Sequence, residues 1–204
     1  MKQLVFATEN PGKLAEIRKF ASHFDIEILS PSQAGFAPVS VDETGTTYEE
    51  NARLKVEAYL SQDIAKDYII CGDDSGIEID ALGGEPGLHT RRWLGYSMSD
   101  DEIVGYALGR MHGIDNRIAT FKSTIAYSKH AGVVEFVTGE MKATIATVPL
   151  DDAPKQEGFP FRRLLIVDGE PSIALWRFDE LSPSERPGRY SHREAAFATL
   201  FEKI

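Results

Sequence analysis

Asp73-Asp74-Ser75-Gly76 stands between two apolar runs, Tyr68 to Gly72 and Ile77 to Leu82. Adjacent carboxylates in such a setting are expensive to hold together without a counter-ion. A divalent cation is the natural partner, and oxygen-only ligation suits magnesium, which keeps several waters and also binds substrate phosphates. A solvated turn between two strands is the plainer reading of the same residues. Ala7-Thr8-Glu9-Asn10-Pro11-Gly12-Lys13 sits where a strand gives way to a helix. Backbone N–H groups and the helix dipole can face an anion there, with Lys13 adding a full positive charge. The segment is not a Walker A motif, since the glycine spacing and the Lys-Ser/Thr pair are absent. A turn with a helix-capping Asn10 accounts for it equally.

Asp42-Glu43-Thr44-Gly45 puts two more carboxylates on a loop, although acidic residues before a helix also simply favour its dipole. Asn51 and Lys55 follow on a helix and share a face at i, i+4. Near the end, Ser191-His192-Arg193 opens the last helix, where an N-cap followed by solvated basic residues is the commonplace alternative. Gly83-Gly84-Glu85-Pro86-Gly87 is turn chemistry. Cys71 is the only cysteine, which excludes an intrachain disulfide and a cysteine zinc cluster, and its place in an apolar run marks it as core.

These residues need elements to position them. Lys2 to Thr8 predicts a strand, followed by a turn and a helix carrying Leu14, Ile17, Ala21 and Phe24. Ile26 to Leu29 is a second apolar run. Tyr48, Ala52, Val56 and Tyr59 repeat near 3.6, and Thr47 with Glu50 offers a capping box, which predicts a helix from about 47 to 61. Ser99 to Met111 reads as a helix. Ile118 to Tyr127, Val133 to Val137 and Lys142 to Val148 are β-rich, separated by His130-Ala131-Gly132 and by Gly139, as in an antiparallel meander. Asp151 to Pro160 is loop, Arg163 to Val167 a candidate strand, and Pro183 to Gly188 a polar loop before a helix from about Ser191 to Glu202. This order predicts a mixed α/β protein whose sheet is not purely parallel, with the meander as a second lobe.

With 204 residues, 42% of them hydrophobic and 26% charged, the chain suits one enzyme-sized body and not wholesale disorder. Lys plus Arg number 22 against 32 Asp plus Glu, a net charge of -10. That balance opposes polymeric nucleic acid and anionic membranes as partners. It leaves room for a small phosphorylated ligand wherever a few cations or a metal converge. No apolar run approaches the roughly 20 residues that span a bilayer. The N-terminus lacks the apolar core of a secretory signal, and with the lone cysteine the expectation is a cytoplasmic protein.

Taken in order, Ala7 to Lys13, Glu43 to Ala52 with Lys55, Asp73 to Ile77 with Leu82 to Gly87, and Ser191-His192-Arg193 resemble the motifs of the inosine/xanthosine triphosphate pyrophosphatase family, nearly end to end. The resemblance implies an elongated α/β fold, a mixed sheet flanked by helices. It implies one pyrophosphatase domain over residues 1–204 with two lobes, the second roughly 115–150, the nucleotide between them, and a homodimer. The implied activity is magnesium-dependent hydrolysis of nucleoside triphosphates to monophosphate and pyrophosphate, clearing deaminated purines from the precursor pool. By position, Thr8, Glu9, Asn10, Gly12 and Lys13 would hold the triphosphate. Asp42 or Glu43 would face Mg2+ together with Asp74, and Asp74 would accept the proton of the attacking water. Asn51, Lys55 and Ser75 would assist substrate binding. Lys13 and Lys55 would join the metal in neutralising charge at the reacting phosphorus.

Where the family carries Phe-Gly-Tyr-Asp-Pro against the nucleotide, this chain reads Gly158-Phe159-Pro160-Phe161-Arg162-Arg163. Phe159 and Phe161 keep the aromatics, while Arg162 replaces an acid. Pro187 stands where the family has a substrate-binding lysine, with Arg186 or Arg189 as candidates to compensate. His192, Arg193 and Phe159 would still contact the base, and Arg162 would shift the preferred nucleotide away from inosine and xanthosine. Two other functions fit the same phosphate-handling residues, nucleotide binding without catalysis and a phosphatase acting on another phosphorylated metabolite.

Overall fold

The structure, a computed structural model, describes residues 2–8, 10–129, 132–150, 153–155, 157–169 and 172–204. Strand β1 (Lys2–Phe6) leads through helix α1 (Pro11–Ala21), β2 (Ile26–Leu29) and α2 (Tyr48–Leu60) to the long β3 (Ile69–Ile79). There follow β4 (Pro86–Gly87), α3 (Asp100–Arg110), β5 (Ile118–Ser128), β6 (Glu135–Ile145), β7 (Leu165–Val167), β8 (Ile173–Ala174), α4 (Leu175–Glu180) and α5 (His192–Lys203). Among the described residues the strands form one sheet in the order β2-β1-β3-β5-β6-β7-β8, with β4 beside β3. β1 runs parallel to β2 and β3, whereas β4 is antiparallel to β3 and β7 is antiparallel to β6 and β8. The sheet is therefore mixed and flanked by helices, as the order of sequence patterns predicts.

The chain divides into two compact units, Met1–Ser75 with Ser123–Gly139 and His192–Ile204, and Gly76–Lys122 with Glu140–Ser191. Residues 115–150 are thus shared between them. In the first unit the strands are covered on both faces, which is why β1 and the start of β3 read as unbroken apolar runs. Leu4, Phe6 and Cys71 point to the face packed by Ile17 and Phe20 of α1 and by Phe197 and Leu200 of α5. Val5, Ala7 and Ile70 point the other way, onto Ala52, Val56 and Tyr59 of α2. The second unit has its own core, built from Ile77, Ile103, Met111, Ile145, Phe161 and Leu165 with their neighbours. Its α3 begins with a reciprocal Ser99–Glu102 capping box. At α2 the box is only half made. Thr47 Oγ1 accepts from the Glu50 N–H at 3.1 Å, but the Glu50 carboxylate reaches the Thr46 N–H at 2.6 Å instead of the cap residue's own.

Two breaks expected from sequence are absent. Asp73-Asp74-Ser75-Gly76 is not a turn between strands but the middle of β3, which runs unbroken to Ile79. Gly139 is not a turn between Val133–Val137 and Lys142–Val148, since β6 passes straight through it. A Cβ at Gly139 would run into the His192 carbonyl oxygen and the Ala196 amide nitrogen, so this glycine lets α5 lie against the strand. The connection at His130 and Ala131 lies outside the described residues. Arg163 belongs to a 3-10 turn (Pro160–Arg163), which shortens the expected strand to Leu165–Val167. Helix α4 was not foreseen; it has six residues and no side-chain N-cap, too little for a periodic signal.

Gly139→Ala has no room and meets backbone on the far side, so it should lower the melting temperature by roughly 5–10 °C. Gly105→Ala, at an exposed position inside α3 with open space around it, should raise it by about 1–3 °C. Differential scanning calorimetry of the two variants checks the contrast.

Candidate active site

The alternation of β3 decides what its acidic pair can do. Neighbouring residues on a strand point to opposite faces, so Asp73 and Asp74 are separated by the sheet itself and enter different surroundings.

Asp73 faces α1 and α5 and is 1% exposed. Its Oδ1 pairs with Lys13 Nζ at 3.1 Å and its Oδ2 accepts from Arg193 Nε at 2.9 Å. Burial alone would raise this carboxyl's pKa, but Lys13, Arg193 and Lys55 pull it far below the ordinary carboxylate range. Asp73 is therefore held as the anion by its cationic partners, with a hydrogen bond on each oxygen. Arg193 is 3% exposed and completes its donor set with an ion pair to Glu16 from Nη1 and a 3.1 Å bond from Nη2 to Ser75 Oγ. Burial works against its charge, and Glu16 and Asp73 more than offset it. Next to it, burial holds the His192 imidazole neutral, its pKa well below the usual value.

Asp74 faces α2. Its Oδ2 accepts from Asn51 Nδ2 at 3.0 Å, its Oδ1 accepts from the Ser75 N–H at 3.0 Å, and Lys55 Nζ lies 3.7 Å away. Asn51 is held in turn by the Gly45 N–H, which donates to its Oδ1 at 2.8 Å. Both ends of this amide are occupied within the protein, so Asn51 fixes the 42–45 loop relative to Asp74. Gly72 lets α2 come this close, since a Cβ there would sit 2.9 Å from Lys55 Cβ and 3.2 Å from the Ala52 carbonyl oxygen. Burial raises the Asp74 pKa, and Lys55 and Asn51 offset this only in part. A carboxylate so placed is a better proton acceptor than a solvated one.

Lys55 is where these parts meet. Its ammonium donates to the Asp73 carbonyl oxygen at 2.9 Å and pairs with Glu43 Oε2 at 2.9 Å, besides lying beside Asp74. Burial would lower its pKa, but Asp73, Asp74 and Glu43 together hold it above the ordinary value. Lys13, by contrast, is lowered by burial more than Asp73 restores it. A cleft of about 690 Å³ is lined by Thr8, Asn10, Lys13, Val39, Glu43 and Lys55 among others, and so takes in both lysines and Glu43.

The anion cradle at the start of α1 is filled from within. Asn10 Oδ1 accepts from the Gly12 and Lys13 amides at 2.9 and 3.2 Å, and Pro11 has no N–H to give. The capping reading of Asn10 holds, and charge at this end of the cleft comes from the Lys13 side chain. Thr8 lines the cleft and its Oγ1 accepts from the Asn10 N–H. Glu9 lies outside the described residues. Asp42 is exposed, and among the described residues its carbonyl accepts from the Thr44 N–H at 2.9 Å.

The donor chemistry fits a hard divalent cation. Glu43 and Asp74 present carboxylate oxygens toward one ammonium. Among the described residues no third His, Cys, Asp or Glu joins them as a ready-made cage. Two carboxylates completed by water and substrate phosphate are the usual magnesium arrangement in phosphate chemistry. Asp73, buried on the other face of β3 between Lys13 and Arg193, is not available for it.

The residues expected at the base have mixed placements. Phe161 is 3% exposed and stacks edge-on against Phe121 in the core of the second unit. Phe159 precedes it at the start of the 3-10 turn. Arg162 pairs with Asp179 of α4 at 2.9 Å and bonds the Trp176 carbonyl at 3.2 Å. Arg186 is buried over the Phe178 ring at 4.6 Å, with Arg189 at 5.4 Å. Glu16 was not anticipated as part of the site. Its signal in the sequence is its spacing from Lys13, three residues on along one helix, hence on the same face.

Three cations converging on one strand of a mixed α/β sheet, one of them buried, beside a carboxylate kept basic, define a protein built to handle phosphate. Among solved structures, the Ham1 protein of Staphylococcus aureus matches with a TM-score of 0.74 at 29% identity, covering 99% of this chain and 97% of that one. The dITP/XTP pyrophosphatases of Bacillus subtilis and of an Exiguobacterium species are 32% and 35% identical, over 98% and 99% of this chain and 96% of each relative. Residues 4–203 match the Ham1 family, and the chain belongs to that family. Among the described residues no helix is long and apolar enough to cross a membrane.

Asp73→Asn would leave the buried Arg193 and the half-buried Lys13 against a neutral amide, a loss worth about 3–5 kcal/mol. Its melting temperature should fall on the order of 10 °C. Asp74→Asn, which removes a charge that burial already disfavours, should stay within a few degrees of wild type. Thermal melts followed by circular dichroism compare the pair.

Proposed function

We propose that the protein hydrolyses non-standard purine nucleoside triphosphates, of the inosine and xanthosine type, to the monophosphate and pyrophosphate. The observation that carries this reading is the split environment of the acidic pair, with Asp73 locked between cations and Asp74 left basic beside Lys55 and Glu43. The names of the relatives give the substrate class.

In this reading Lys13 and Lys55 face the triphosphate from the two sides of the cleft and neutralise charge that builds up on the leaving pyrophosphate. Asp74 accepts the proton as the water oxygen forms its bond to the α-phosphorus and the bond from that phosphorus to the bridging oxygen breaks. The electron pair of the broken bond leaves on pyrophosphate. Ser75 donates its hydroxyl hydrogen to a phosphate oxygen. Glu43 and Asp74 would hold a magnesium ion, which when bound supplies further charge neutralisation and orients the phosphates. His192 would contact the base, as the family resemblance implies, whereas the donors of Arg193 are taken by Asp73, Glu16 and Ser75. Arg162, tied to Asp179, acts within the second unit and leaves the purine preference of the relatives in place. The enzyme would work in the cytoplasm, where the nucleotide pool is, as a homodimer.

A panel of nucleoside triphosphates in magnesium buffer, with pyrophosphate and inorganic phosphate measured separately, tests the proposal. The expected result is pyrophosphate from dITP and XTP well ahead of ATP and GTP, and loss of turnover on the order of 100-fold in Asp74→Asn. Inorganic phosphate as the first product, or turnover unchanged in that variant, would refute it.

A further inference from the structure

Arg193 has three partners, and one of them is unexplained by the reaction. Asp73 and Ser75 belong to the strand that carries the chemistry, but Glu16 lies on α1, three residues beyond Lys13. Its side chain is 27% exposed while that of Arg193 is 3% exposed, so the carboxylate reaches in from the rim to meet a buried guanidinium.

Charge explains the need. Lys13 and Arg193 both lean on the single carboxylate of Asp73 and each lowers the other's comfort there. Glu16 makes the set neutral. Geometry explains the consequence. A guanidinium offered one carboxylate prefers to bind it through two parallel N–H bonds. With Glu16 holding Nη1, Arg193 gives Asp73 only Nε and keeps Nη2 on Ser75. A guanidinium can only donate, so Ser75 Oγ must accept from it. The one hydroxyl hydrogen of Ser75 is then turned away from Arg193. Phosphate oxygens only accept, and a hydroxyl held in this polarity is the donor they require.

We propose that Glu16 is a positioning residue, which by anchoring Arg193 sets the Ser75 hydroxyl as a donor to the pyrophosphate half of the substrate. The proposal rests on the triphosphate reading above, but its test does not need turnover. Binding of inorganic pyrophosphate in magnesium buffer is measured by calorimetry for wild type, Glu16→Ala, Glu16→Gln, Ser75→Ala and the Glu16→Ala/Ser75→Ala double variant. Glu16→Ala should weaken binding about tenfold, the worth of one hydrogen bond to a charged group. Glu16→Gln, which keeps an acceptor for Nη1, should recover part of that loss. In the Ser75→Ala background Glu16→Ala should add less than about twofold, because the two act through one bond. In steady state the KM for dITP should rise, which a mere loss of folded protein would not produce. Unchanged pyrophosphate affinity in Glu16→Ala, or full additivity with Ser75→Ala, would overturn the proposal. A wild type that binds pyrophosphate yet releases none from any nucleotide defeats the pyrophosphatase reading and leaves this test standing. A wild type that does not bind pyrophosphate defeats both.

Discussion

The first unit is organised around one buried carboxylate. Asp73 takes Lys13 from the helix after the first strand and Arg193 from the last helix, so residues at opposite ends of the chain meet on a central strand. A charge buried this deeply is tolerable only with its partners in place. That requirement fixes how α1 and α5 sit against β3, more sharply than the apolar contacts of Phe6, Phe20 and Phe197 could alone. Apolar packing tolerates small shifts of a helix, whereas charged hydrogen bonds near 3 Å do not.

The same strand then separates structure from chemistry by its pleat. Cys71, Asp73 and Ser75 share the α1/α5 face, and Ile70, Gly72 and Asp74 share the α2 face. Two adjacent carboxylates thus avoid each other by facing opposite ways, and they acquire opposite character. Asp73 is stabilised as an anion between Lys13 and Arg193, while Asp74, its pKa raised by burial, sits beside Asn51 and Lys55 of α2. Gly72 and Gly139 serve this division, since each lets a helix approach the sheet closely enough to deliver a charged or polar side chain.

Much of this was legible in the residues. The strand, turn and helix around Lys13, the helix bearing Asn51 and Lys55, and the final helix bearing Arg193 all announce themselves through apolar spacing and caps. The misreadings have one cause. Polar residues and glycine inside an apolar stretch are the ordinary mark of a turn, so Asp73-Asp74-Ser75-Gly76 and Gly139 read as breaks. The structure keeps both stretches as strand because distant partners satisfy what local sequence leaves unpaired, Lys13 and Arg193 for Asp73, and the backbone of α5 for Gly139. Tertiary pairing of this kind has no local signature. Glu16 has only its spacing from Lys13 to mark it, and a partly exposed glutamate on a helix is unremarkable until Arg193 is placed beside it.

Helix α4 gives the departures from the family's motifs a common physical setting. The charge reversal at Arg162 and the arginines flanking Pro187 read from sequence as cations released toward a ligand. In the second unit they converge instead on Phe178 and Asp179, one pairing with the carboxylate and two lying over the ring. A guanidinium over an aromatic face and in reach of backbone carbonyls is a packed group as much as a charge. Arg186 bonds the carbonyls of Leu181 and Arg189, and Arg189 bonds that of Asp168, so the cations tie loop backbone to the helix. Gly169, at φ +143°, leaves the space into which the Arg189 side chain fits, and a Cβ there would meet its guanidinium. Arg162 and Asp179 therefore form a counter-charged pair within this segment, and the substitution at 162 has a structural partner that accounts for it. Such a pair can reverse the sign of one residue without altering the charge balance around β3, where Lys13, Lys55 and Arg193 are met by carboxylates of their own.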